Sequence, residues 1–396
     1  MGMPSAEKLS ALKEQPLWVH AVSVGEVQAA SALIKELRAG GLNVPIVLST
    51  TTETGKAMAQ RLSEKLYDLH VYYPWDSRKY IRSALDKVNP AAFIMVETEI
   101  WPNMLWELQA RKIPVFLANG RISDRTWKRL NKYSVGRLLF RELFNIFDTV
   151  FLRERLDGIR LEAIGVDKTK ISVVGDLKID ALLNRIYPNA RDKWKELLHA
   201  EKGPLYIAGS THTGEDEIAV SAFEKLKNIQ PDARLILAPR HPERTETLLN
   251  MFKDRFAVCK LSEMTDDFEI IIIDKIGVLF ELYGIAEAAF IGGSFTNNGG
   301  QNILEPVAWG TPVQYGPHME DFAEASAEFL SRGISRRLNS GEELADNWIK
   351  LAKGEIDAAA VRRQCRLYFE EKAGAAGKIR SVIEKSLHIA KNHEIS

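Results

Sequence analysis

The stretch Ala288–Met319, AAFIGGSFTNNGGQNILEPVAWGTPVQYGPHM, decides how the rest of the chain is read. Ala288–Ile291 predicts a buried strand. Gly292, Gly293 and Ser294 predict a bare turn, Gly299 and Gly300 a second turn, and Asn302 the start of a short helix. A strand that opens through glycines onto a helix N-terminus offers unpaired N–H groups and a favourable dipole to an anion. The glycines let a phosphate come close to the backbone. A second reading stands beside the first. Asn302-x-x-Glu305 fits an N-cap with a capping-box carboxylate and needs no ligand, and glycine pairs are ordinary turn residues.

Working back from this stretch, the second half alternates β-rich runs with helical pattern. Strands are predicted at 205–208, 234–238, 257–260 and 270–273, with helices at 215–227, 243–252 and 278–286. The first half has the same rhythm. Its predicted strands are 17–22, 44–49, 69–73, 91–96, 115–118, 149–152 and 171–174, with helices at 26–38, 53–65, 77–87 and through 123–147. Buried strands separated by helices of this length indicate parallel βαβ units. Two such halves predict an α/β protein of two Rossmann-like domains facing a central cleft. The expected bounds are residues 1–178, residues 190–360, and a helical segment 361–396 that packs back across the junction.

At 396 residues the chain exceeds one ordinary core. Lys plus Arg and Asp plus Glu each number 53, so the formal net charge is zero and no global field marks a nucleic-acid binder. Two cysteines far apart argue against a disulfide framework and for a reducing compartment. No run approaches the roughly 18 apolar residues of a membrane helix, and no signal peptide is visible. The opening MGMPSAEKLSALKEQP reads as a trimmed or tagged end.

Rossmann-type sheets bind ligands at the carboxyl ends of their strands, so the strand-to-helix turns hold the candidates. After the first strand, Ser23-x-x-Glu26 is a capping box in sequence; alternatively Glu26 is a general base. A helix N-terminus lowers a carboxyl pKa, so a base here needs burial to offset it. After the fourth strand, Glu97 and Glu99 are close enough to perturb each other's pKa, or they begin a helix with an acidic first turn. Ser210, Thr211 and His212 form either a hydroxyl-rich ligand turn or a plain cap. Arg240 and His241 lie in a proline-flanked loop, where an arginine fork suits phosphate or carboxylate, or a surface ion pair. No ligand spacing for a metal is present, and no cofactor is expected. Arg121, Arg125, Lys128, Arg129, Lys132, Arg137 and Arg141 interleave with Trp127, Tyr133, Leu138, Leu139 and Phe140. That pattern suits either an anionic membrane surface or a solvated face over a packed stripe.

Taken together and in order, HAVSVGE (20–26), ETEIWPN (97–103), NGRISDR (119–125), GDLKID (175–180), GSTHTGED (209–216), APRHPER (238–244), IGGSF (291–295), GGQNILEPVAWG (299–310) and YGPHM (315–319) resemble the Kdo transferases of lipopolysaccharide synthesis. Kdo is 3-deoxy-D-manno-octulosonic acid. The resemblance covers nearly the whole chain and is far more specific than any one motif. It implies a GT-B glycosyltransferase with an N-terminal acceptor domain and a C-terminal donor domain. It further implies inverting transfer of Kdo from CMP-Kdo to a lipid A precursor, at the cytoplasmic face of the bacterial inner membrane. Glu26 then corresponds to the base, with Glu97 and Glu99 in the same acceptor-side site. Ser210, Thr211, Arg240, His241, Gly293, Ser294, Gly300 and Asn302 fall on the CMP side, and Glu305 on the ribose hydroxyls. Arg121, Arg125 and Lys128 are candidates for the donor carboxylate and the acceptor phosphates. Family members commonly carry a hydrophobic N-terminal anchor; none stands at the start of this sequence, and a peripheral membrane association is expected. Two rival readings are a GT-B transferase using a UDP-sugar and a non-catalytic, nucleotide-binding protein of the membrane surface.

Overall fold

A computed structural model describes residues 12, 14–61 and 66–394, with side chains to Leu387. The opening stretch up to residue 11 and the predicted helical turn 62–65 lie outside the described residues. The chain divides into two compact units, residues 1–184 with 372–396, and residues 185–371. The outward crossing falls at Asn184–Arg185 and the return at Glu371–Lys372.

The first unit holds seven parallel strands, β1 (Leu17–His20), β2 (Ile46–Thr50), β3 (Leu69–Tyr72), β4 (Ala92–Val96), β5 (Val115–Gly120), β6 (Thr149–Leu152) and β7 (Ile171–Val173), in the order β3-β2-β1-β4-β5-β6-β7. Every residue of β1, β2, β4 and β5 is buried, as a parallel sheet covered by helices on both faces requires. Trp18, Phe93 and Met95 point to one face, and Leu17, Val19 and Ile94 to the other. The alternation is that of a pleated strand.

The Val24–Ala39 helix begins where Ser23 Oγ accepts the Glu26 N–H at 3.4 Å, and it buries Val27, Ala30, Leu33, Ile34 and Leu37 against the second face. The Ala375–Glu394 helix covers the same face through Ile379, Ile383 and Leu387. Each such side chain contributes about 1.5–3 kcal/mol by leaving water. Its start is gripped by Asp180, whose carboxylate accepts the N–H groups of Gly374 and Ala376, both at 2.7 Å. The last helix therefore belongs to the first unit. Among the described residues no helix is long and apolar enough to cross a membrane.

The helical pattern over 123–147 proves to be two helices, Asp124–Lys132 and Ser134–Ile146. Tyr133 between them is extended, at φ −119° and ψ 106°. The break re-aims the second helix so that Leu143, Phe144 and Ile146 are buried.

The second unit also has seven parallel strands, β8 (Leu205–Thr211), β9 (Arg234–Pro239), β10 (Val258–Lys260), β11 (Ile270–Ile272), β12 (Ala286–Ile291), β13 (Val313–Tyr315) and β14 (Ser335–Arg337), in the order β10-β11-β9-β8-β12-β13-β14. β13 and β14 are absent from the sequence reading. Each spans only three residues, and β13 is enclosed by Pro312 and Gly316, which read as turn. The core is a cluster around Tyr206, Phe223, Leu235, Phe290 and Trp348.

Candidate active site

In each sheet the strand order reverses beside the first strand of its unit, between β1 and β4 and between β8 and β12. Loops at the carboxyl ends of those four strands flank the crevices where open α/β sheets take ligands. Glu26 follows β1 and Glu97 follows β4, so the first unit places both acids at its reversal point.

Glu26 is 5% exposed. Its Oε2 accepts the Val22 N–H at 2.7 Å and its Oε1 accepts the Ser23 hydroxyl at 3.0 Å. The capping geometry is real, yet the carboxyl is also conditioned as a base. Burial raises its pKa above the ordinary value, and the neighbouring charges of Glu97 and Glu99 raise it further, against the lowering effect of the Val22 amide.

Glu97 has φ 61° directly after β4, a left-handed conformation that a non-glycine residue adopts only at a cost. Its Oε1 meets Lys178 Nζ at 2.5 Å. Lys178 also passes over Gly25, where an added Cβ would lie 3.6 Å from Nζ. Glu99 is exposed. Neither acid begins a helix: the next one starts at Pro102 and is capped by Asp76, which accepts the N–H groups of Asn103 and Met104 at 3.2 and 3.1 Å. Thr98 Oγ1 instead ties β4 to β5 through the N–H and carbonyl of Arg121, at 2.8 and 2.7 Å. Asn119, at φ 61° in β5, accepts the Leu177 N–H at 2.8 Å and so positions the segment carrying Lys178. Lys178 and Asn119 lie within quoted motifs, but no spacing rule singled either out.

On the second unit the structure corrects the phosphate reading of the glycine turn. The N–H groups of Gly293, Ser294 and Phe295 converge as expected, but a carboxylate of the protein fills them. Glu215, 0% exposed, accepts from Gly293 at 2.7 Å, Ser294 at 2.9 Å and Phe295 at 2.8 Å, and from His212 at 2.9 Å. The nest is real and its anion is internal. Gly292 is confined for a related reason, since a Cβ there would stand 2.3 Å from the Ser210 carbonyl oxygen. Ser294 is likewise structural: its hydroxyl donates to the Ile291 carbonyl at 2.5 Å and accepts the Gly316 N–H at 2.8 Å. Gly300 gives its N–H to the Gly293 carbonyl at 2.9 Å and faces the Met319 sulfur. Thr211 is fully buried and donates to Asp216 at 2.6 Å, so its hydroxyl is committed. The N–H groups of Gly293, Ser294 and Gly300 and the hydroxyls of Ser294 and Thr211 therefore already have partners within the protein.

The remaining donor-side residues are better placed. Ser210 stands at φ 56° at the end of β8. Arg240 and His241 are exposed beyond β9, with the His212 and His241 rings 6.0 Å apart. The helix expected from Asn302 is Leu304–Ala308. Asn302 Oδ1 accepts the Leu304 N–H at 3.0 Å. Glu305 does not close a capping box, because its Oε1 pairs with Arg185 at 2.8 Å.

Arg121, Arg125 and Lys128 are exposed. Arg125, Lys128, Arg129 and Lys132 line a hollow of about 460 Å³ with Tyr133. Their spacing of three and four residues aligns them on one helix face. Just beyond, Val135, Leu138 and Leu139 are exposed apolar side chains, with Val135 77% exposed. Trp127 and Phe140 pack instead against the core. Among the described residues no three His, Cys, Asp or Glu side chains gather as a metal site.

A family model described as 3-deoxy-D-manno-octulosonic-acid transferase (kdotransferase) matches residues 2–181. The chain is 32% identical over 353 residues to the 3-deoxy-D-manno-octulosonic acid transferase of Haemophilus influenzae, covering 83% of this chain and 80% of that protein. It is also 32% identical over 337 residues to a bifunctional glycosyltransferase/methyltransferase of Fusobacterium nucleatum, covering 83% of this chain but 51% of that one, so it spans about half the length of that relative. In structure it is similar to the UDP-GlcNAc 2-epimerase of Neisseria meningitidis, at 14% identity and a TM-score of 0.61, covering 94% and 99% of the two chains. That likeness speaks for the fold alone, the GT-B pair of Rossmann-like domains. By its sequence identity over most of both lengths to the Haemophilus enzyme, this chain belongs to the 3-deoxy-D-manno-octulosonic acid transferase family.

Proposed function

We propose that this chain is an inverting glycosyltransferase that moves Kdo from CMP-Kdo to a lipid A precursor at the cytoplasmic face of the inner membrane. The observation that carries the reading is Glu26, a nearly buried carboxyl held at the reversal point of the first sheet with its pKa raised. A base of this kind takes a proton from an acceptor sugar hydroxyl near neutral pH. The oxygen attacks the anomeric carbon of Kdo, the bond from that carbon to the CMP phosphate oxygen breaks, and CMP leaves with the electron pair. Glu97 and Lys178, ion-paired beside it, orient the acceptor.

On the donor side, Arg240 meets the phosphate charge with a bidentate fork. Ser210 and His241 complete that side. Glu305 keeps Oε2 for the ribose hydroxyls while Arg185 holds Oε1. Arg121 meets the Kdo carboxylate, and the Arg125–Lys132 face holds acceptor phosphates at an anionic membrane surface.

The donor assignment is tested by thermal-shift titration with CMP and with UDP. CMP is expected to raise the melting temperature, and stabilisation by UDP alone refutes it in favour of a UDP-sugar transferase. Mass spectrometry of the product from CMP-Kdo and a lipid A precursor tests the reaction; absence of any product favours a non-catalytic binding protein.

A further inference from the structure

At the strand ends of the first unit lies a second polar cluster that the proposed reaction leaves unused. His20 closes β1, Tyr73 follows β3, and Trp101 stands at the start of the Pro102–Ala110 helix. The His20 and Tyr73 rings stack with centroids 3.9 Å apart, and Trp101 lies 5.3 Å from Tyr73 and 6.4 Å from His20. His20 is 0% exposed and Tyr73 6%, while Trp101 is half-buried. Three polar atoms of these rings, His20 Nε2, Tyr73 Oη and Trp101 Nε1, are buried and have no hydrogen-bond partner among the described residues.

One such orphan is uncommon and costs free energy; three in one ring cluster call for a missing partner. Their chemistry says which. His20 Nδ1 lies 3.2 Å from the Ser49 carbonyl oxygen and 3.0 Å from Ser49 Oγ, and Oγ already accepts the Trp18 indole N–H at 2.8 Å. A carbonyl only accepts, so Nδ1 carries the proton and Nε2 offers a lone pair. Burial lowers the His20 pKa to about 3, so the ring is neutral at physiological pH. The cluster thus offers one acceptor, one indole donor, and one phenol able to do either. A cation finds no carboxylate among these three atoms and an anion no positive charge. A hydroxyl group is their complement, donating to His20 and accepting from Trp101.

The geometry points to a hydroxyl-binding subsite formed by His20, Tyr73 and Trp101, which receives a non-reacting hydroxyl of the acceptor sugar and so fixes that sugar for the acid at the strand end. The inference rests on the transferase reading for its ligand. A resident water has the same hydrogen-bonding chemistry, and the experiment separates the two.

Tyr73→Phe and Trp101→Phe are assayed with CMP-Kdo and a deacylated lipid A precursor. Each is expected to raise the acceptor KM by about 3- to 10-fold, the loss of one neutral hydrogen bond, while the donor KM and the melting temperature hold. An unchanged acceptor KM, a rise shared equally with the donor, or a fall in melting temperature that accounts for the rise overturns the subsite. If the unsubstituted protein forms no product, the transferase reading fails by itself. The subsite is then read by NMR of the Trp101 indole and His20 imidazole during titration with the same deacylated precursor. Shifts in both resonances that are lost in Tyr73→Phe uphold it; unmoved resonances, as a resident water would leave them, overturn it.

Discussion

Glu26 shows how one side chain serves two ends. It caps its helix through Val22 and Ser23, and the same fixing, together with burial, makes it a stronger base than an exposed glutamate. Burial and the charges of Glu97 and Glu99 raise its pKa, so it ionises at a higher pH than an exposed glutamate. The acid limb of kcat/KM is therefore expected at higher pH than an exposed glutamate would give, and Glu97→Gln, which removes one repelling charge, moves the limb to lower pH. A limb that stays or moves upward contradicts the coupling. Glu26→Gln is expected to lower kcat by about 10²- to 10⁴-fold while the protein remains folded by circular dichroism. Glu215 makes the opposite case. Sequence reasoning saw the receiving amides at Gly293 and Ser294 but not the acid that fills them, which is 78 residues away in the chain. Truncating it orphans four amides, those of Gly293 and Ser294 buried, so Glu215→Ala is expected to cost about 3–5 kcal/mol in urea unfolding. An unchanged transition midpoint would show that the nest is not closed by this carboxylate in solution.

Among the elements, those with strong periodicity were legible in the chain. The strands LWVH, AFIMV and RLILAP read as buried because every position is apolar or inward-facing, and they are β1, β4 and β9. What escaped was set by tertiary contact. β13 and β14 exist only by pairing in register with β12 and with each other, and the turn at Tyr133 follows from how Leu143 and Phe144 reach the core. The cap on the last helix is of the same kind, with Asp180 194 residues from Gly374. Asp180→Ala is expected to cost about 1–2 kcal/mol and to expose the segment after residue 372 to limited proteolysis. Resistance equal to the unsubstituted chain would count against the cap.

At the scale of the molecule, the formal charge of zero hides a strongly local one. The face Arg125, Lys128, Arg129 and Lys132 beside exposed Val135, Leu138 and Leu139 is expected to bind anionic vesicles with roughly 1 kcal/mol per basic residue. Lys128→Glu with Arg129→Glu should weaken co-sedimentation at least about tenfold and flatten its salt dependence. Equal binding to neutral vesicles would refute an electrostatic contact. The two-domain fold was legible because two sheets of similar rhythm follow each other, whereas the side chains that fill the second strand-end nest were not.

One arrangement bears on how the protein is made. The helix gripped by Asp180 is translated after the whole second unit, yet it seals Val27, Leu33 and Ile34 of the first. The amino-terminal half must therefore wait, with an oily seam open, while the whole second sheet is synthesised, and chaperone demand should fall on that interval.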